Sequence, residues 1–217
     1  MGTRIILVDN HQIMRDGLRF MLEKFPNLTV VGEADNGRAG VSLTKELVPD
    51  VVIMDITMPD LNGIDATRQI KKLIPQTRVI ALSMHSDRKY VIRMLQAGAS
   101  GYVIKDSAFE ELSRAIATTL RGQTYLSPEI TGEVLRDLMA VPTLNNDQAA
   151  FPLTPKERQV LQLIAEGWTT KEIAAQQGVS VKTIETHRRQ LMAKLNAKSV
   201  ADLTKFAIQE GLTSLDI

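Results

Sequence analysis

The sequence contains no cysteine, so disulfides and thiolate metal sites are excluded at the outset. Histidine is nearly as scarce. His11, His85 and His187 lie far apart, and none falls at a metal-ligand spacing. No apolar run approaches the ~18 residues that a membrane-spanning helix needs. Met1 to Val8 passes directly into a strand-like run, without the pattern of a secretory signal. There is no internal repeat and no low-complexity tract. These absences lead to the expectation of a cytoplasmic protein with no membrane partner. The net charge of +1 identifies no partner, but its distribution is uneven. Residues 182–198 hold five Lys/Arg against one acid, whereas residues 123–150 hold one base against four acids.

What is present fits two small domains. The chain has 217 residues, with 44% hydrophobic and 24% charged residues, enough for real cores without a covalent staple. In the first half, Ile5 to Val8, Val51 to Met54 and Val79 to Leu82 are near-continuous apolar runs, as strands buried on both faces of a parallel sheet require. Leu28 to Ala34 and Gly101 to Ile104 are weaker strand signals. Helical patterns lie between them near 12–24, 37–47, 64–73, 89–97 and 109–120. The alternation predicts a parallel α/β sheet with helices on both faces.

Polar residues break the apolar strands at their carboxyl ends: Asp9 and Asn10, then Asp55, Ser83 and Lys105. Ligand sites of open parallel sheets form in the crevice at those ends. One pocket would therefore collect two carboxylates, an amide, a hydroxyl and an ammonium. That set suits phosphoryl transfer to a carboxylate. Asp55 is the candidate nucleophile, Asp9 a ligand for Mg²⁺, and Ser83 and Lys105 binders of phosphoryl oxygens.

Leu7-Val8-Asp9-Asn10-His11, Met54-Asp55-Ile56-Thr57-Met58-Pro59 with Gly63, Ser83, and Tyr102-Val103-Ile104-Lys105 occur in the order and spacing of a receiver domain. Residues 1–122 thus resemble the receivers of response regulators, which are five-stranded, parallel and flavodoxin-like. The resemblance implies that Asp55 is the phosphoacceptor, that Ser83 and Tyr102 form a switch pair, and that Thr57 offers a backbone carbonyl to the metal. The family usually has two adjacent acids after the first strand. Here the second is Asn10, which can ligate through its amide oxygen but carries no charge.

Residues 123–150 read as a linker, with a helix near 128–139 that starts at Ser127-Pro128. From residue 151 the signals are all helical. Thr154 with Glu157, and Thr169 with Glu172, are capping boxes; Ser180 caps a third helix, and Ser199 with Asp202 a fourth. Thr170 to Gln177, the turn Gly178-Val179-Ser180, and Val181 to Leu195 have helix-turn-helix spacing. On the longer helix Ile184, His187, Leu191 and Leu195 share an inward face. Lys182, Glu185, Thr186 and Arg189 share another, which can enter a major groove. Leu153 to Arg158 and Val179 to His187 resemble the LuxR-type helix-turn-helix, so residues 151–217 are expected to be a small all-α four-helix DNA-binding domain. The same likeness makes Lys182, Thr183, Arg188 and Lys194 candidates for phosphate contact, and the helix with Val200, Leu203 and Phe206 a dimer-forming one.

Together the two halves resemble the NarL/FixJ class of response regulators. That resemblance implies a transcription regulator, not an enzyme, phosphorylated by a sensor histidine kinase and binding double-stranded promoter DNA as a homodimer, with RNA polymerase a further contact. One alternative is a regulator that binds DNA independently of phosphate, its receiver degenerate at Asn10. Another is an Asp-nucleophile phosphatase of the haloacid-dehalogenase type. Such an enzyme wants a second acid two residues after the nucleophile, where this chain has Thr57, and there is no cap domain.

Overall fold

The computed structural model describes residues 2–84, 88–132 and 153–213. The chain divides into two compact units, Met1–Val141 and Pro142–Ile217. In the first, strands and helices alternate: β1 (Thr3–Val8), α1 (Gln12–Leu22), β2 (Leu28–Ala34), α2 (Gly37–Leu47), β3 (Val51–Asp55), α3 (Gly63–Leu73), β4 (Arg78–Ser83), α4 (Arg88–Gln96), β5 (Gly101–Ile104), α5 (Ala108–Leu120) and β6 (Tyr125–Leu126). The sheet order is β2-β1-β3-β4-β5-β6 and every pairing is parallel.

Side chains alternate across the sheet and so feed two cores. Ile5, Leu7, Ile53, Leu82 and Val103 face α1 and α5, meeting Leu18, Leu22, Leu112 and Ile116. Ile6, Val8, Val52 and Met54 face the other side, where Ala66 and Ile70 of α3 close over them and Leu43 and Leu47 of α2 pack alongside. Ala81, Tyr102 and Ile104 meet Val91 and Met94 of α4. With both faces covered, the buried runs of β1, β3 and β4 stay apolar until they reach their carboxyl ends. β1 has β2 on one side and β3 on the other, so chain direction across the sheet reverses there. Asp9 and Asp55 stand at that switch point.

The loop after β3 is pinned. Asn62 caps α3 by accepting from the Asp65 amide at 2.9 Å, and the Gly63 amide donates to the Ile56 carbonyl at 2.8 Å. A Cβ at position 63 would stand 1.9 Å from the Asp55 carbonyl oxygen, so only glycine fits.

The parallel α/β expectation holds, with one strand more than the five read from the sequence. β6 falls in the stretch assigned to the linker. Its two residues give no alternation to read. It forms because the outer edge of β5 offers partners: Tyr125 donates to the Ser100 carbonyl at 3.2 Å and Ser127 to the Tyr102 carbonyl at 3.0 Å. Residues 128–132 are helical; the rest of the helix expected near 128–139 lies outside the described residues.

In the second unit the described residues form α6 (Pro155–Ala165), α7 (Thr170–Gln177), α8 (Val181–Lys194) and α9 (Val200–Gln209). Thr154, Thr169, Ser180 and Ser199 cap them, three with complete capping boxes. Gly178 ends α7 at φ 63°, a left-handed turn that suits glycine. Val160, Leu163, Ile173, Ile184, Leu191 and Leu203 make one core, with Trp168 packed at its side.

Candidate functional site

The first cluster lies at the carboxyl ends of β1, β3 and β5. Asp9, Asp55 and Lys105 are all buried there. The Lys105 ammonium reaches both carboxylates, at 2.8 Å from Asp9 and 3.0 Å from Asp55. Two buried carboxylates this close cannot both ionise without a countercharge. Burial, and then the Asp9 charge, raise the Asp55 carboxyl to about 6, while Lys105 opposes the shift. Asp55 therefore remains mostly ionised at pH 7, yet is more basic than a solvated aspartate.

Asp9 is further fixed by its neighbours. The His11 amide donates to its Oδ1 at 2.8 Å, and the His11 ring nitrogen Nδ1 lies 3.0 Å from the same oxygen. Arg15 donates to the Asp9 carbonyl at 2.6 Å and pairs with Glu33 at the end of β2. Arg19, one turn further along α1, pairs with Glu33 as well. Sequence reasoning missed this brace. Its signal was present in the i, i+4 spacing of Arg15 and Arg19, which puts both on one helix face.

Asn10 Oδ1 is buried and has no hydrogen-bond partner among the described residues. Donor atoms of Asp9, His11 and Asp55 lie within 4.8 Å of one another. The Asp9 and Asp55 carboxylates are hard oxygen donors, and Asn10, next to Asp9 in sequence, adds a buried amide oxygen; such donors fit Mg²⁺. Ser83 ends β4 and is buried; it pairs in register with Ile104, the residue before Lys105. Thr57 is two residues beyond Asp55, in the loop that Gly63 pins. Tyr102 is wholly buried against α4, in the core beside the pocket and not in its mouth.

The second cluster is α8. Ile184 and Leu191 are buried, and His187 and Leu195 half-buried, which makes the inward face the one read from the sequence. Lys182, Thr183, Glu185, Thr186 and Arg189 are exposed, and Arg188 is half-buried. The side chains of Lys182, Glu185, Arg188 and Arg189 make no ion pair among the described residues. Thr183 and Thr186 are partly spent on the helix itself: Thr183 Oγ1 meets Ser180 Oγ at 2.8 Å, and Thr186 donates to the Lys182 carbonyl at 2.9 Å. Lys194 stands apart from the others. Its ammonium holds Glu157 of α6 at 2.6 Å, so it ties the carboxyl end of α8 to the bundle.

Residues 5–117 match the family described as response regulator receiver domain, and residues 151–207 the family described as bacterial regulatory proteins, luxR family. The chain is 38% identical over 211 residues to the transcriptional regulatory protein MctR of Rhizobium johnstonii, covering 97% of this chain and 95% of that protein. It is 36% identical to the transcriptional regulatory protein LiaR of Bacillus subtilis, covering 94% and 95%. Among solved structures it is similar to RcsB, seen as two dimers bound to two parallel DNAs, with 28% identity, a TM-score of 0.59, and 97% of this chain and 99% of that chain covered.

Proposed function

Because the chain belongs to the luxR-family response regulators of two-component systems, which join a receiver to a DNA-binding helix-turn-helix, we propose that it is a promoter-binding regulator switched by phosphorylation of Asp55. The observation that carries the reading is the buried Asp55 carboxylate, held by Lys105 and opposed by Asp9. An oxygen of Asp55 attacks the phosphorus of a sensor kinase's phosphohistidine. The phosphorus–nitrogen bond breaks, the imidazole keeps the electron pair and takes up a proton, and Asp55 becomes an acyl phosphate. Lys105 then has a phosphoryl oxygen to bind in place of the carboxylate, and Ser83 donates to another. Mg²⁺, held by Asp9, Asn10, Asp55 and the Thr57 carbonyl, would neutralise charge on the transferred group.

The domain boundaries belong to this reading: a receiver through residue 122, an interdomain stretch, and the DNA-binding domain from residue 151, with β6 and Ile130 carrying the packing of the first unit past residue 122. Phosphorylation promotes dimerisation and tightens promoter binding, in keeping with the dimers that RcsB forms on DNA. α8 enters the major groove with Glu185, Thr186 and Arg189 toward base edges, and Lys182, Thr183 and Arg188 toward phosphates. Lys194, engaged with Glu157, has the weakest case for a phosphate contact. One observation favours a second reading, regulation without phosphate: Asn10 leaves the metal site one negative charge short.

The test is intact-mass measurement after incubation with Mg²⁺ and a small phosphodonor, with DNA affinity measured on the same samples. One added phosphoryl group is expected, none in Asp55→Ala, and tighter DNA binding by the loaded protein. Equal uptake by Asp55→Ala would remove Asp55 as the acceptor. No uptake by the unaltered chain, with DNA binding intact, would favour the phosphate-independent reading.

A further inference from the structure

The segment after α5 is fastened to β5 by a buried cluster that the acceptor chemistry does not use. Glu111 of α5 is buried, with a carboxylate that must find donors there. Both come from the chain beyond β5. Ser127 Oγ donates to Glu111 Oε2 at 2.5 Å, and the Tyr125 hydroxyl donates to the same oxygen at 3.1 Å. Burial, and the carboxylate that it faces, raise the Tyr125 hydroxyl above its ordinary range, so it stays a donor. Ser127 Oγ also accepts from the Ile104 amide at 3.1 Å, and its own amide donates to the Tyr102 carbonyl at 3.0 Å. Ile130, three residues on, is buried in the same core as Tyr102 and Ile104.

Ser127 thus grips the main chain on both sides of Val103, and Ile104 is the residue next to Lys105. Lys105 is the group that changes partners when Asp55 is loaded. A shift of its main chain reaches Ser127 through a single hydrogen bond, without crossing a helix. Ser127 in turn belongs to the chain that leads to the DNA-binding unit. We infer that Ser127, held by Glu111 and Tyr125, is a positioning residue that couples the occupancy of the acceptor pocket to the interdomain chain. The inference rests on the phosphorylation reading above.

A coupling residue is recognised by the change in DNA affinity that phosphate produces, not by the affinity itself. The full chain and the variants Ser127→Ala, Ser127→Thr and Tyr125→Phe are treated with Mg²⁺ and acetyl phosphate. Phosphoryl uptake is read by intact mass, and affinity for one duplex is read with and without phosphate. Ser127→Ala is expected to take up phosphate within about twofold of the unaltered rate. Its phosphate-dependent gain in affinity should fall at least fivefold. Tyr125→Phe, which keeps the serine, should lose less, and Ser127→Thr, which keeps the hydroxyl, should retain most of the gain. If Ser127→Ala takes up phosphate and keeps the full gain, the coupling role is overturned while the phosphorylation reading stands. If Ser127→Ala fails to fold, Tyr125→Phe decides: a full phosphate-dependent gain there overturns the role equally, and a reduced gain supports it. If the unaltered chain shows no uptake or no gain, the phosphorylation reading itself has failed and the inference falls with it.

Discussion

The two units hold their working charges in opposite ways. In the first, Asp9, Asp55 and Lys105 are buried together and already paired. In the second, Lys182, Glu185 and Arg189 stand in solvent without ion pairs among the described residues. The difference suits what the proposed function has each unit receive. A phosphoryl group is small and needs preset partners in a dry pocket, so the pocket stores desolvation, visible in the raised Asp55 carboxyl. Duplex DNA brings its own dense charge, and exposed cations can wait for it at little cost. The acids divide in the same way. Hydrogen bonds from Thr169 within its capping box hold Glu172 below the usual carboxylate range, and Asp202 is lowered first by the Lys198 amide, just outside its box, and then by Ser199. Burial raises Glu157, but hydrogen bonds from Lys194 and Thr154 outweigh it and leave that acid lowered too.

The contrast is tested most severely at Lys105. Lys105→Met leaves two buried carboxylates facing each other and should destabilise the metal-free first unit by about 3–5 kcal/mol in urea unfolding followed by circular dichroism. A loss below about 1 kcal/mol would mean that the pocket stores little. Asp55→Asn should act in the opposite direction. A carboxyl raised in the folded state costs stability as pH rises from about 4 to about 6, so its removal should stabilise the metal-free protein at pH 7 by about 1–3 kcal/mol. That gain should vanish below pH 4. Arg189→Ala should leave stability within about 0.5 kcal/mol and yet weaken binding to the preferred duplex by about 1–3 kcal/mol, with relaxed specificity. Equal loss on all sequences would make Arg189 a backbone contact.

Asn10→Asp adds the missing charge and should tighten Mg²⁺ binding about tenfold, about 1–2 kcal/mol by calorimetry, because added repulsion among the acids offsets part of the attraction. Unchanged affinity would show that the amide oxygen already does all that the position can. The smallest effect expected is at the helix starts. Carboxyls lowered in the folded state add stability above their unfolded values and lose it as pH falls through the folded ones. The second unit should loosen progressively below pH 4, where Asp55 gives the first unit no such penalty. Trp168, the only tryptophan, reports on that unit alone by fluorescence.

Much of this was legible in the sequence because the strands buried on both faces are apolar until they end. Val51 to Met54 followed by Asp55 reads as a strand delivering a carboxylate, and the structure places it there. The helix starts were equally plain, since a capping box is complete within four residues. The unread parts depend on partners distant in sequence. Tyr125 and Leu126 have no periodicity of their own and become a strand only beside β5. Glu111 sits in an amphipathic helix, where an acid ordinarily faces water; nothing local shows that Ser127 and Tyr125 bury it. Lys194 looked like its basic neighbours on α8, and only the fold brings Glu157 to it.

β6 has one more consequence, for solubility. An unpaired strand edge is a template for another molecule's strand, and sheet proteins protect such edges. In this chain Tyr125 to Ser127 occupy the outer side of β5, taking up the Tyr102 carbonyl and the Ile104 amide. A chain cut after Gly122 would keep the acceptor residues and lose that cover. It would expose an apolar strand edge next to Tyr102 and leave Glu111 without its hydroxyl donors. Such a fragment should self-associate through β5, and an end placed beyond Ile130 should stay monomeric under the same conditions.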